Sequence, residues 1–154
     1  MIDGLPLHPL LVHGAVVLLA VAGLAQVAAV LLPRFRAWLD WGLPVLGVLT
    51  AAVVQVTASL GEELEDVVGE TQAVQTHSEV GELAASVALL VAAVMVPHWA
   101  LTSHTLPQRW ADRWPWLRSR AVVTTVAWLS VLVAVAAIVL DVLAGHSGAT
   151  SVWG

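Results

Sequence analysis

Four uninterrupted apolar stretches, at about residues 9–32, 41–60, 80–101 and 121–144, leave this chain few ways to fold. A bilayer core is about 30 Å thick, and a helix rising about 1.5 Å per residue needs roughly 20 apolar residues to cross it. Each stretch meets that length. The runs are continuous, without the polar alternation of barrel strands, so helices are expected. Only 11% of the residues are charged and 59% are hydrophobic, against about 25% charged in a typical soluble domain. So much apolar surface cannot be hidden in one small core, and lipid is the implied solvent. The expectation is an all-α, integral membrane four-helix bundle, with residues 1–154 forming a single domain.

Prolines and glycines punctuate the runs. Pro6 and Pro9 suit a first helical turn, Pro33 follows the first run, Pro107 and Pro115 interrupt the third connection, and Gly145 lies just beyond the last run. Pro44 should be tolerated near the start of the second helix, whereas Pro97 is expected to kink the third. The start lacks a basic segment and carries Asp3, so the first run is expected to be retained as a span and not cleaved as a signal peptide.

Charge placement gives an orientation. Arg34 and Arg36 occupy the first connection, and Arg109, Arg113, Arg118 and Arg120 the third, which accounts for all six basic residues. Cytoplasmic loops are the arginine-rich ones. The second connection holds Glu62, Glu63, Glu65, Asp66 and Glu70 and no basic residue, so it and both termini are expected outside, an N-out/C-out arrangement. A net charge of -5 without a basic run offers nucleic acid no footprint.

Trp38, Trp41, Trp99, Trp110, Trp114 and Trp116 fall near the arginine-rich ends, where amphipathic rings anchor a helix at the interface. Trp128 lies deeper and is expected to pack between helices. Gly14, Gly23, Gly47, Ala51 and Gly81 are small residues that let neighbouring backbones approach closely.

In an up-down bundle, residues far apart in sequence meet at the acidic end. His8 and His13 enter with the first span; Glu62, Glu65 and Asp66 leave with the second. His77, Glu79 and Glu82 enter with the third, and Asp141 and His146 leave with the fourth. A polar ring such as His13, inside an apolar run, usually faces the bundle interior and has a partner. Asp141, preceded by Val139 and Leu140, needs a partner or access to water. The segment 61–82 reads as extensions of the second and third helices beyond the bilayer with a turn near Gly69, and Glu62 shares a helical face with Glu65 and Asp66. A solvated acidic cap would explain those carboxylates equally. At the other end, His98 and His104 read as interfacial histidines bonded to loops or headgroups, outside any site.

The opening LPLHPLLVHG, the segment SLGEELEDVV, His77 and the terminal GHSG together resemble the bacterial membrane proteins grouped as domain of unknown function 2231. His8-Pro9 and Val12-His13 carry the most specific part of the likeness. The resemblance implies a multi-pass protein of the bacterial inner membrane, with a redox or metal role and a separate redox protein or respiratory complex as partner.

Two chemistries suit the cluster. One is a b-type haem bound by His13 and His77 for one-electron transfer, since bundles accept such cofactors between facing helices. The other is a nonhaem Zn, Fe or Mn ion held by some of His8, His13, Glu62, Asp66, His77, Asp141 and His146, because mixed nitrogen and oxygen donors suit those ions. The absence of cysteine excludes thiolate ligation and c-type haem attachment. Hydrolase and phosphate-loop motifs are missing as well, which favours a non-enzymatic role. The third alternative is a structural or assembly subunit that packs against a larger respiratory or transport complex, or forms a homo-oligomer, and in which the polar residues only join helix ends.

Overall fold

The computed structural model describes the backbone of residues 7–68, 71–105 and 112–153, and side chains within 11–62, 71–72, 74–105 and 112–149. Five α-helices and one 3-10 turn make up this part, without strands among the described residues. They are α1 (Leu7–Leu31), α2 (Pro33–Leu39), α3 (Gly42–Val68), α4 (Gln72–Thr102) and α5 (Arg120–Trp153), with the 3-10 turn at Pro115–Arg118. All but α2 are long and apolar enough to cross a membrane, over Leu11–Leu31, Gly42–Glu62, Val74–Thr102 and Arg120–Ala149.

The four long helices form a ring in chain order. α1 packs against α3 and α5, and α4 packs against α3 and α5, while α1 and α4 face each other diagonally with little direct contact. Consecutive long helices run antiparallel, so the ends of α1 and α4 share one end of the bundle with the starts of α3 and α5. Arg34, Arg36, Arg113, Arg118 and Arg120 are at that end, and Glu62 and His77 at the other.

Local chemistry sets the boundaries. Pro33 occupies the first turn of α2, where its missing N–H is harmless, so the first connection is itself a short helix. Asp40 ends it at a positive φ of 37°, and its N–H still donates to Arg36 O. Thr71 caps α4 by accepting from Val74 N. Pro97 removes the donor for the carbonyl of Ala93, yet α4 continues to Thr102 because apolar surroundings leave the backbone no better alternative than helix. Gly145 does not end the last helix, which runs on to Trp153; a glycine weakens a helix by only about 1 kcal/mol.

The interior is built largely of alanine. Ala15, Ala22, Ala29, Ala85, Ala88 and Ala137 are buried around the larger Leu19, Leu43, Val91 and Met95. A Cβ on Gly23 would meet Ile138 Cγ1 at 2.8 Å and Ala134 O at 3.1 Å, so glycine is what permits the close α1–α5 approach. Gly47 plays the same part between α3 and α4, against Met95. Gly14 and Gly81, expected to do likewise, have open space where a Cβ would stand.

Two tryptophans depart from expectation. Trp128 is 56% exposed on the outside of α5 instead of packed between helices, because its neighbours on that face look away from α1 and α4. Trp99 is buried at the arginine-rich end and donates to Asp40. Trp38, Trp41, Trp114 and Trp116 are exposed at that end, as interfacial anchors should be.

Candidate functional site

At the acidic end the helices deliver the expected residues unequally. His77 on α4 is half-buried, and its Nδ1 lies 3.1 Å from Ser147 Oγ on α5. Ser147 donates its only hydroxyl proton to Ala144 O, so His77 Nδ1 is the donor in that pair. The imidazole also rests on Gly148, where a Cβ would stand 3.0 Å from His77 Cε1. Helix α5 therefore needs a small residue at 148 for His77 to dock.

Asp141 is buried on α5 and has no hydrogen-bond or ion-pair partner among the described residues. His13, Glu62 and His146 are exposed on α1, α3 and α5. The side chains of His8 and Asp66 lie outside the described residues, as does the turn expected near Gly69. Among the described residues, no three histidine, aspartate or glutamate side chains gather as a set of metal ligands.

His13 is exposed, His77 Nδ1 is bonded to Ser147, and Ala15 on α1 and Ala84 and Ala85 on α4 are buried.

The most completely buried polar group is at the opposite end and was not expected there. His98, read from sequence as interfacial, is 1% exposed, and Gln26 and Ser130 are fully enclosed. Gln26 Nε2 lies 2.8 Å from His98 Nδ1 and 2.6 Å from Ser130 Oγ, joining α1, α4 and α5. Ser130 gives its hydroxyl proton to Ala127 O, so it must accept from Gln26. The second amide hydrogen then goes to His98 Nδ1, which fixes the imidazole as neutral with its proton on Nε2. That Nε2–H and Gln26 Oε1 are both buried without a partner among the described residues.

A sequence signal for this triad did exist. Gln26 lies five residues before the end of α1 and His98 four before the end of α4, which puts both about 6–8 Å inside the same bundle end. The tryptophan-rich and arginine-rich stretch beside His98 points to the interface instead of to depth. Closer to that end, Asp40 Oδ1 accepts from Trp99 Nε1 and Ser103 Oγ, both at 3.0 Å, and from Thr105 Oγ1 at 3.4 Å. The Trp41 ring leans on Trp99 with centroids 4.0 Å apart. This carboxylate fastens the α2–α3 corner to the end of α4.

Elsewhere Gln55 Nε2 donates to Ala85 O at 2.8 Å, tying α3 to α4, and Thr50 Oγ1 reaches Leu18 O on α1 at 3.4 Å. The polar side chains of the interior thus act mainly between helices. No protein-family model, curated protein or solved structure matches the chain.

Proposed function

We propose that this chain is a non-enzymatic, multi-pass subunit of the bacterial inner membrane that serves the structure or assembly of a larger membrane complex. The observation that carries the proposal is how the buried polar side chains are used: Gln26, His98 and Ser130 join three helices, and Asp40, Gln55 and His77 join further pairs. In lipid, such bonds supply specificity of packing that apolar contact alone does not. The arginine-rich end belongs in the cytoplasm by the positive-inside rule, with both termini outside.

Native electrophoresis of membranes solubilised in mild detergent tests this. The 16.2 kDa chain should migrate as part of a much larger species, and the purified protein should be colourless and free of stoichiometric metal. Migration as a free monomer, or a Soret band, would overturn it.

A second reading, a divalent Zn, Fe or Mn site at the acidic end, is favoured by Asp141 alone. A buried carboxylate without a partner is costly in lipid and by default marks a functional position. One metal ion per chain, lost in Asp141→Asn, would establish it in place of the first.

A further inference from the structure

The outer face of α5 carries a shallow, open groove of ≈ 600 Å³ whose described lining is Arg120, Ala121, Thr124, Thr125, Trp128, Leu129 and Leu132. These positions repeat at i, i+1, i+4, i+5, i+8, i+9 and i+12, one face of the helix. All are exposed, and the face is turned away from α1 and α4.

Its polarity is graded with depth. Arg120 is the first residue of α5 and the single charged side chain in the described lining. Thr124 and Thr125 follow about 6–8 Å further in, Trp128 about 12 Å in and Leu132 about 18 Å in, from the rise of a helix. The threonine hydroxyls have no hydrogen-bond partner among the described residues. The interfacial layer of a bilayer is about 5–7 Å thick on each side of the hydrocarbon. With Arg120 at its outer boundary, the hydroxyls fall at the level of the acyl esters, and Trp128, Leu129 and Leu132 lie along the acyl chains.

We infer that this groove is a binding site for one anionic phospholipid, whose phosphodiester pairs with Arg120, whose ester carbonyls accept from Thr124 and Thr125, and whose acyl chain lies against Trp128. Charge complementarity selects the headgroup. The described lining presents one guanidinium and no acid, which suits a net negative phosphodiester; a phosphocholine group already carries its own cation. The indole, out of place as a packing residue, has a defined neighbour in the acyl chain. The proposal goes beyond the assembly role and stands whether or not that role holds.

The test uses the full chain reconstituted in phosphatidylcholine vesicles containing a few mole per cent of brominated phosphatidylglycerol or, separately, brominated phosphatidylcholine. The Trp128 contribution to quenching is the difference between wild type and Trp128→Phe. One basic residue near the surface contributes enough to favour an anionic lipid about fivefold, so quenching of Trp128 should favour phosphatidylglycerol by about that factor. Arg120→Gln should abolish the preference while Arg118→Gln, outside the groove, should keep it; far-ultraviolet circular dichroism confirms that both variants retain their helices. Equal quenching by the two lipids, or a preference that survives Arg120→Gln, would overturn the site. So would loss of the preference on adding inorganic phosphate, which would make the ligand a free anion, or a Trp128 unquenched by either lipid, which would mean a second chain covers the face.

Discussion

Replacing Gln26 and His98 by leucine, singly and together, should give an order of stabilities opposite to simple addition. In the wild type the pair makes two hydrogen bonds through Gln26 Nε2 and leaves two buried groups, Gln26 Oε1 and His98 Nε2–H, without partners. Gln26→Leu removes both bonds and still leaves two unpaired groups, now the two nitrogens of His98. His98→Leu removes one bond and also leaves two, the carbonyl and one N–H of Gln26. Interhelical bonds in membranes are worth about 0.6 kcal/mol on average and at most about 1.7. The first variant should therefore lose about 1–3 kcal/mol and the second about half as much. The double variant loses the same two bonds as the first but leaves no unpaired group in the pair. Each unpaired buried group costs about 1–3 kcal/mol, so the double variant should equal or exceed wild-type stability. Unfolding in mixed micelles with increasing sodium dodecyl sulfate, followed by circular dichroism, measures all four proteins as one cycle. A double variant as unstable as the sum of the singles would refute the reasoning, since it would mean the two groups are satisfied in the native protein.

Other outcomes follow from the same contacts. Gly23→Ala should destabilise the bundle by about 1–2 kcal/mol through collision with Ile138 and Ala134 O, whereas Gly14→Ala, which meets nothing, should be neutral or slightly stabilising in the same titration. Asp40→Ala should cost about 1–3 kcal/mol by stranding the buried Trp99 N–H, while the Ser103 hydroxyl keeps Thr105 Oγ1 as a partner, and Asp40→Asn, which keeps an acceptor oxygen, should recover most of it. A carboxy-terminal reporter fusion active only outside the cytoplasm should be active, and a silent one would reverse the proposed orientation.

Span number, helical character and approximate limits were legible in sequence because the bilayer imposes a length and forbids polar interruption. The extension of α3 to Val68 and the start of α4 at Gln72 agree with an acidic connection reaching beyond the membrane. The rotation of each helix was not legible. The apolar runs are hydrophobic all round, so the periodicity of residues 121–144 does not separate the exposed Trp128 from the enclosed Ser130 two positions on. For the same reason His13 could be expected inward although it is exposed, and His98 outward although it is enclosed. Gly14 and Gly23 are alike in sequence; only Gly23 meets Ile138, and that depends on where α5 sits. Depth follows from counting residues, but azimuth follows from side-chain fit between helices that are distant in the chain.

The contact between α1 and α5 closes the ring, and Gln26 and Ser130 are separated by 104 positions. During synthesis the first helix therefore enters the bilayer long before the residues that will cover it exist. Until α5 arrives, the Gln26 amide hydrogen that will bond Ser130 and the bare backbone at Gly23 stay on an open seam. Helix α5 thus serves as the latch, and a chain cut short before residue 120 would leave this face of α1 unsealed.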